Sequence, residues 1–426
     1  MNAARVLVLS LACLMPLTLA AEDWPAFRGP AGNGISTGTG FPIEWSRDNN
    51  IRWRVPLPGP DNGSPIVVDD KVFVLSSEDQ GRQRSILCFD REDGSQLWKR
   101  TVAYDKVEET HKTNPHCPTT PVSDGKRVVV WHRSAGMHCY NLAGDTLWSR
   151  DLGEFHHVWG GGSSPVIYKN LVFQLCGPGE RTFLIALDLE TGKTVWESPV
   201  EPGGSASNSG KYIGTWSTPV LTDVAGQTQL ICPYHARVVA YNPLTGQELW
   251  SMTGLSGNQG DLCYTSPMLG TNHGVIMGGF GGPAFGLKLG GSGDTTSQNQ
   301  LWIHNEKRNP QRIGSGVIIG DFLYMANADT PGSLQCLNIL TGEQQWQEPR
   351  TSEGPHWGSL VLADGFLYVT GQNGITRVFK PNSASYEHVA ENDLGEHSNS
   401  TPAFSRGEIF LRTWNALYCV SQAKIR

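Results

Sequence analysis

One interval recurs along this chain: a glycine, three residues, then a tryptophan. It is found at Gly94 and Trp98, Gly144 and Trp148, Gly192 and Trp196, Gly246 and Trp250, and Gly342 and Trp346. Self-similarity with a period of tens of residues belongs to solenoids, propellers and arrays, so these returns leave few folds open. Before each glycine an apolar run ends in Asp or Asn, as in Ala186-Leu-Asp188 and Ala240-Tyr-Asn242. Such a side chain caps a turn, the glycine supplies positive φ, and a returning strand carries the tryptophan. The unit is a hairpin on the outer side of a small sheet.

Upstream of each hairpin stands a hydroxyl residue followed by proline and an apolar run: Ser64-Pro65, Thr120-Pro121, Ser164-Pro165, Thr218-Pro219, Ser266-Pro267 and Thr401-Pro402. Ser315-Gly316 and Ser359-Leu360 keep the pattern without proline. Proline is tolerated where a strand edge needs no donor, and the innermost strand of a propeller blade has such an edge. From Pro65 these positions step by 56, 44, 54, 48, 49, 44 and 42 residues, which suits four strands per radial blade. The ends are complementary. Ile51 to Val55 resembles an outer strand with no blade before it, and Ser400 to Val420 supplies three strands and stops. The expectation is therefore an all-β, eight-bladed β-propeller over residues 51–423, with four-stranded antiparallel blades and ring closure between the N- and C-terminal strands. An extended segment, residues 21–50, precedes it. Trp53, Trp98, Trp148, Trp196, Trp250, Trp302 and Trp346 are read as structural wedges between blades. Each buries ~200 Å², about 5 kcal/mol gross at ~25 cal/mol/Å².

Composition agrees with many turns and few long helices: 50 glycines and only 17% charged residues. The net charge of −7 and the lack of a Lys/Arg cluster remove the electrostatic footprint of a nucleic-acid binder. Residues 1–20 read as a signal peptide, with Arg5, an apolar run and a cleavage site at Ala20-Ala21. The residues before Cys13 do not suit lipidation. The expected location is periplasmic or secreted, with no transmembrane segment in the mature chain and a monomeric state. Cys88, Cys139, Cys336 and Cys419 take the place of Ala186 and Ala240 in the repeat and are read as apolar fillers. Export permits disulfides among the eight mature cysteines, but no spacing requires one.

The stretch Ala186 to Trp196 resembles the tryptophan-docking repeat of quinoprotein propellers, Ala-x-Asp/Asn-x-x-Thr-Gly-x-x-x-Trp. The other copies differ at one or two places, and the likeness spans nearly the whole mature chain. With its opening Asp23-Trp-Pro-Ala-Phe-Arg-Gly-Pro-Ala-Gly-Asn-Gly34, the chain is similar to the pyrroloquinoline-quinone (PQQ)-binding-like β-propeller repeat proteins of the quinoprotein alcohol dehydrogenase-like superfamily. The resemblance implies either of two function classes. Quinoprotein dehydrogenases carry an adjacent cysteine pair, a Glu/Asn/Asp calcium site and a catalytic Asp. The propeller of the outer-membrane β-barrel assembly machinery is a similar fold without redox chemistry. This chain has no adjacent cysteines, so the first expectation is a non-catalytic binding or scaffold module of the cell envelope. PQQ with calcium, in an oxidoreductase, is the alternative.

No catalytic residue and no metal ligand is assigned. Gly34-Ile-Ser36-Thr-Gly38 lacks the strand and helix of a nucleophile elbow. His156 and His157, as strand neighbours, point to opposite faces. The candidate binding residues lie just before the innermost strands, where a channel mouth would form: His116 beside Cys117, Trp159, Trp216, Tyr264, Arg312, His356 with Trp357, and His397. Aromatics with His and Arg suit a planar or sugar-like ligand, or a loop of an envelope protein. The competing expectation is that they plug the channel and satisfy one another.

Overall fold

The computed structural model describes residues 22–204, 211–306, 309–329, 332–349 and 354–422, so the expected signal peptide lies outside the described residues. Eight four-stranded antiparallel sheets follow one another in chain order around a ring. Blades 1 to 7 comprise residues 66–103, 122–150, 166–197, 220–253, 268–304, 317–349 and 361–393. Blade 8 is built from Ala403–Ser405, Glu408–Arg412, Ala416–Ser421 and the N-terminal strand Ile51–Pro56. That strand pairs antiparallel with Ala416–Ser421, Val55 opposite Leu417, which is the expected closure. A buried ion pair ties the seam: Arg91 of blade 1 reaches Glu408 of blade 8 at 2.7 Å and donates to the Ser405 carbonyl at 2.6 Å. Among the described residues no helix is long and apolar enough to cross a membrane.

The core is a set of apolar layers between neighbouring blades. Ile66, Phe73 and Cys88 of blade 1, for example, pack on Val128, Val130 and Tyr140 of blade 2. All eight described cysteines are buried and unpaired, as small apolar fillers should be. At the rim each wedge is a two-part joint. Trp148 of blade 2 donates its indole N–H to the Leu189 carbonyl in the turn of blade 3 at 3.0 Å. The turn glycine, Gly192, has φ +69°, and a Cβ there would lie 2.7 Å from that indole. So the glycine of one motif makes room for the tryptophan of the motif before it. Trp53, Trp98, Trp196, Trp302 and Trp346 donate to the next blade in the same way. Trp250 differs, donating to Gln229 of its own blade at 2.8 Å. Blade 5 replaces the tight turn with a longer excursion, whose Gly293–Asp294 pairs with Trp250 and Ser251.

The segment before the ring is extended, but it is also built into the fold. Trp24 bridges to Val67 of blade 1, and the Pro25 carbonyl accepts from Ser123 of blade 2. Arg28 donates to the Gly316 carbonyl of blade 6, and Ser36 pairs with Leu362 of blade 7. Trp45 stacks on Tyr368 with ring centroids 6.5 Å apart. Together these contacts close the end of the channel reached by the C-terminal ends of the innermost strands. Arg28 is fully buried there, and burial pulls its pKa down to about 9.

Candidate functional site

The hydroxyl residue of each repeat does more than fit a narrow space. In every repeat but that of Ser266, its oxygen accepts a backbone N–H from the preceding blade. Ser64 N–H donates to Thr120 Oγ1 (3.0 Å), Thr120 to Ser164 (2.9 Å) and Ser164 to Thr218 (3.0 Å). Across the ring Ser266 donates to Ser315 (2.9 Å), Ser315 to Ser359 (3.0 Å), Ser359 to Thr401 (2.8 Å) and Thr401 back to Ser64 (3.0 Å). These links form a belt of hydroxyls around the channel axis. Seven of the eight hydroxyls, all but Ser266, take one backbone N–H, and most keep their own proton and a second lone pair.

Strand alternation then decides which neighbours face the channel, because residues two apart share a side. The residues two before each hydroxyl are Asn62, Pro118, Gly162, Trp216, Tyr264, Ile313, Trp357 and Asn399, and all of them line one cavity of about 280 Å³ with the hydroxyl belt. Phe27 of the N-terminal segment, His111, Asn114, Trp159, Gly161, Phe280 and Gln311 complete the wall. The residues three before the hydroxyls are buried and, Gly161 excepted, lie outside the cavity wall, among them Asp61, Cys117, Arg312 and His356.

The aromatic side of the cavity is set by backbone pairing. Tyr212–Thr215 and Gly260–Cys263 form a short parallel ladder that puts Thr215 beside Cys263. The next residues, Trp216 and Tyr264, therefore meet edge to face at 5.1 Å. Trp216 donates its indole N–H to the Gly160 carbonyl at 3.0 Å. Gly162 leaves the space, since a Cβ there would lie 3.0 Å from Trp216. Trp159 stacks between Tyr212 at 4.3 Å and Phe280 at 5.5 Å. The opposite side is an amide network. Asn114 donates to the Trp159 and Gly161 carbonyls, both at 2.8 Å, and Asn62 donates to Asn114 at 3.1 Å. Asn62 in turn accepts from Trp414, and Asn399 donates to the Thr113 carbonyl. These amides are occupied in holding the mouth loops. Trp159, Tyr264 and Trp357 give their N–H or O–H donors to none of the described residues. Burial pushes the Tyr264 pKa well up, so it remains a donor at neutral pH.

Of the residues expected at the mouth, Trp159, Trp216, Tyr264 and Trp357 line this cavity. His116, Arg312, His356 and His397 do not line it. His116 sits under the Glu108 carbonyl at 3.1 Å, and burial lowers its pKa. Cys117 is enclosed, its N–H donating to Asp61 at 2.6 Å, and burial raises its thiol pKa well above normal. Arg312 lies behind the wall, 2% exposed, and burial lowers its pKa to about 10. Its Nε and Nη1 have no partner among the described residues. His356 is buried, with its pKa pulled down to about 4. His397 packs on Trp414 at 4.1 Å, and burial lowers its pKa. His156 is exposed between Glu154 and Glu180, while His157 is buried against Trp216 at 4.8 Å. The two do face apart. Phe27, His111, Asn114, Phe280 and Gln311 come from segments outside the repeat, so no periodic signal marked them. Asn62 and Asn399 were detectable by parity.

Fold and lining together define an eight-bladed quinoprotein-like propeller with an aromatic mouth whose lining holds no Asp, Glu, Lys or Arg. A family model described as outer membrane protein assembly factor BamB matches residues 35–107 and 82–348, and the chain belongs to this family. A curated relative, outer membrane protein assembly factor BamB of Kangiella koreensis, is 27% identical over 135 residues, and the match spans 30% of each chain. BamB from Moraxella catarrhalis superposes with a TM-score of 0.57 at 13% identity over 88% of this chain and 98% of that one. Quinohemoprotein alcohol dehydrogenase from Comamonas testosteroni superposes at 0.65 with 14% identity over 95% of this chain and 81% of that one. A europium-containing methanol dehydrogenase gives 0.64 at 12% identity over 93% and 90%. At these identities the structural matches speak for the fold alone.

Proposed function

We propose that this protein is a non-catalytic binding module of the cell envelope that recognises a partner or ligand at its open channel mouth. Family membership supports the envelope and scaffold part of this reading. The observation that carries the rest is the chemistry of the cavity wall. Among the described lining residues there is no Asp, Glu, Lys or Arg. PQQ is a tricarboxylate, and its calcium needs hard oxygen ligands. The wall offers neither cations for the one nor carboxylates for the other. Among the described residues no cluster of three or more His, Cys, Asp or Glu side chains could hold a metal. The residues do not fit the quinone with its calcium, and no redox step is derived through it. Aromatic faces with a few donors instead suit recognition, where buried aromatics carry much of the affinity.

Two measurements test this. Titration with PQQ and CaCl₂, followed by absorbance and dye reduction, should show neither saturable binding nor turnover. Dye reduction lost on Trp357→Ala would overturn the reading. A photo-reactive phenylalanine analogue placed at Gln311 should give envelope adducts, while the same probe at Asp364, on the closed end, should not. Equal yields from both positions would remove the mouth as the recognition surface.

A further inference from the structure

Recognition at the mouth leaves open what is recognised, and the wall is selective about charge and about hydrogen-bond type. Its lining holds no Asp, Glu, Lys or Arg, and apart from His111 its polar side chains are amides, hydroxyls, indoles and a phenol. Thr120, Ser164, Ser359 and Thr401 each accept one backbone N–H and donate to none of the described residues. Each therefore presents both a donor and an acceptor to the channel. A ligand of carbonyls or carboxylates accepts only, and would leave the acceptors without partners. A ligand of hydroxyls matches in either sense. The wall is also rich in aromatic faces, which attract the weakly positive C–H groups of a puckered ring through the quadrupole of the π-system. Phe27 closes the bottom, so a ligand enters from one end only. The cavity of about 280 Å³ lies just below the usual range for ligand sites, ~300–1,000 Å³.

We propose that the mouth cavity takes one neutral sugar ring, a hexopyranose free or at the end of a glycan, stacked on Trp357 with its hydroxyls toward the Ser/Thr belt. The proposal rests on the reading of the mouth as a recognition surface and names its ligand class.

The test is titration of the full chain, by calorimetry and tryptophan fluorescence, with glucose, galactose, mannose and N-acetylglucosamine. Galacturonate and inorganic sulfate serve as charged controls. At least one neutral sugar should bind saturably, and galacturonate should bind about tenfold or more weakly than galactose. Trp357→Ala should weaken the sugar by about tenfold, the size expected for a stacking aromatic. Gln311→Ala, in a loop outside the repeat, and Ser359→Ala provide a second reading should Trp357→Ala misfold, with circular dichroism as the check. No response from any of the four sugars overturns the proposal. So does galacturonate or sulfate binding as tightly as galactose, or sugar binding that survives all three substitutions. Silent sugars with a protein adduct at Gln311 would discard the sugar and leave recognition at the mouth standing. Silent sugars with no adduct would discard both.

Discussion

At the rim of the ring, one joint is made again and again: an indole N–H from one blade meets a turn carbonyl of the next. At the hub, the position two before the belt hydroxyl holds Asn, Pro, Gly, Trp, Tyr or Ile according to the blade. Both positions recur through the same backbone unit, so geometry alone does not explain why one is uniform and the other varied. The rim solves one packing problem, and one residue type solves it. The mouth has no such common problem, because its side chains project into a cavity. Within a repeat protein, then, the copies serve as their own control. Residues that repeat hold the fold, and residues that break the repeat at a shared, inward-facing position are candidates for function.

The largest effect should come from cutting across both regions at once. Deleting residues 1–56 removes the strand opposite Ala416–Ser421 and the segment that closes the channel. It exposes an unpaired edge, and cooperative thermal unfolding should be lost. A truncated protein that melts at the full-length temperature would break the ring argument.

Acid should separate hub from rim. His132, His157 and His356 are buried neutral, with pKa values depressed by burial, the latter two to about 4 from the usual 6.5. Below about pH 6.5 the unfolded chain takes up protons that the folded one does not, so stability is lost as pH falls toward about 4. Asp61 opposes this. Burial raises it from 3.8 to about 6, and the folded state protonates first in that window. His157 and His356, each lowered to about 4, outweigh the one carboxyl raised to about 6, and His132 is shifted in the same direction as the other imidazoles, so stability is lost on balance. The rim joints are indole to carbonyl and do not titrate. Hydrogen exchange between pH 6.5 and 4.5 should accelerate around Trp216 and Trp357 before it does around Trp148. Simultaneous loss at both places would show that hub and rim do not open separately.

A pair of glycines sharpens the rim side. Gly192 (φ +69°) lies under Trp148, whereas Gly125 (φ +85°) has open space at its missing Cβ. Gly125→Ala should cost about 1–2 kcal/mol, the left-handed backbone penalty. Gly192→Ala should cost that plus ~1–3 kcal/mol of overpacking. Urea midpoints with unchanged slopes measure the difference. Equal costs would mean that the joint is loose.

Much of this was legible in the sequence. Trp98, Trp148 and Trp196 stand at a fixed interval from their glycines, and local turn chemistry explains the interval, so the hairpins, blade count and closure could be read directly. The mouth was half legible. Trp216, Tyr264 and Trp357 share a side with the hydroxyl two residues on, but Arg312 and His356 sit one residue earlier and face inward between blades. Applying the period of two to those positions would have separated the groups. Trp250 packs in the apolar layer between blades 4 and 5, but its N–H stays within its own blade because its partner turn is replaced by the excursion near Gly293, a substitution in the next blade. Phe27, Asn114 and Phe280 could not be read at all. They reach the cavity from irregular segments whose placement depends on contacts far along the chain, such as Asn114 with Trp159 and Phe280 with Trp159.

The smallest expected effect bears most directly on the comparison. Trp357 is half-buried and donates to none of the described residues, whereas Trp148 is 8% exposed, hydrogen-bonded, and packed over Gly192. Trp148→Ala should cost about 3–5 kcal/mol, as large-to-small changes in an interface core do. Trp357→Ala removes aromatic surface already facing solvent, so its cost should stay below about 1 kcal/mol. Trp216 provides an internal calibration. It lines the same cavity but donates to Gly160 and packs on His157, so Trp216→Ala should fall between the two. Denaturant midpoints for the three variants, measured together at pH 7, give the order Trp148, Trp216, Trp357. If Trp357→Ala is as costly as Trp148→Ala, the mouth tryptophan is a packing residue like those at the rim. Irregularity at the hub would then mark only local differences in packing. If the order holds, the protein keeps at its mouth a large aromatic side chain that contributes little to the stability of the fold, and binding is the physical use left for it.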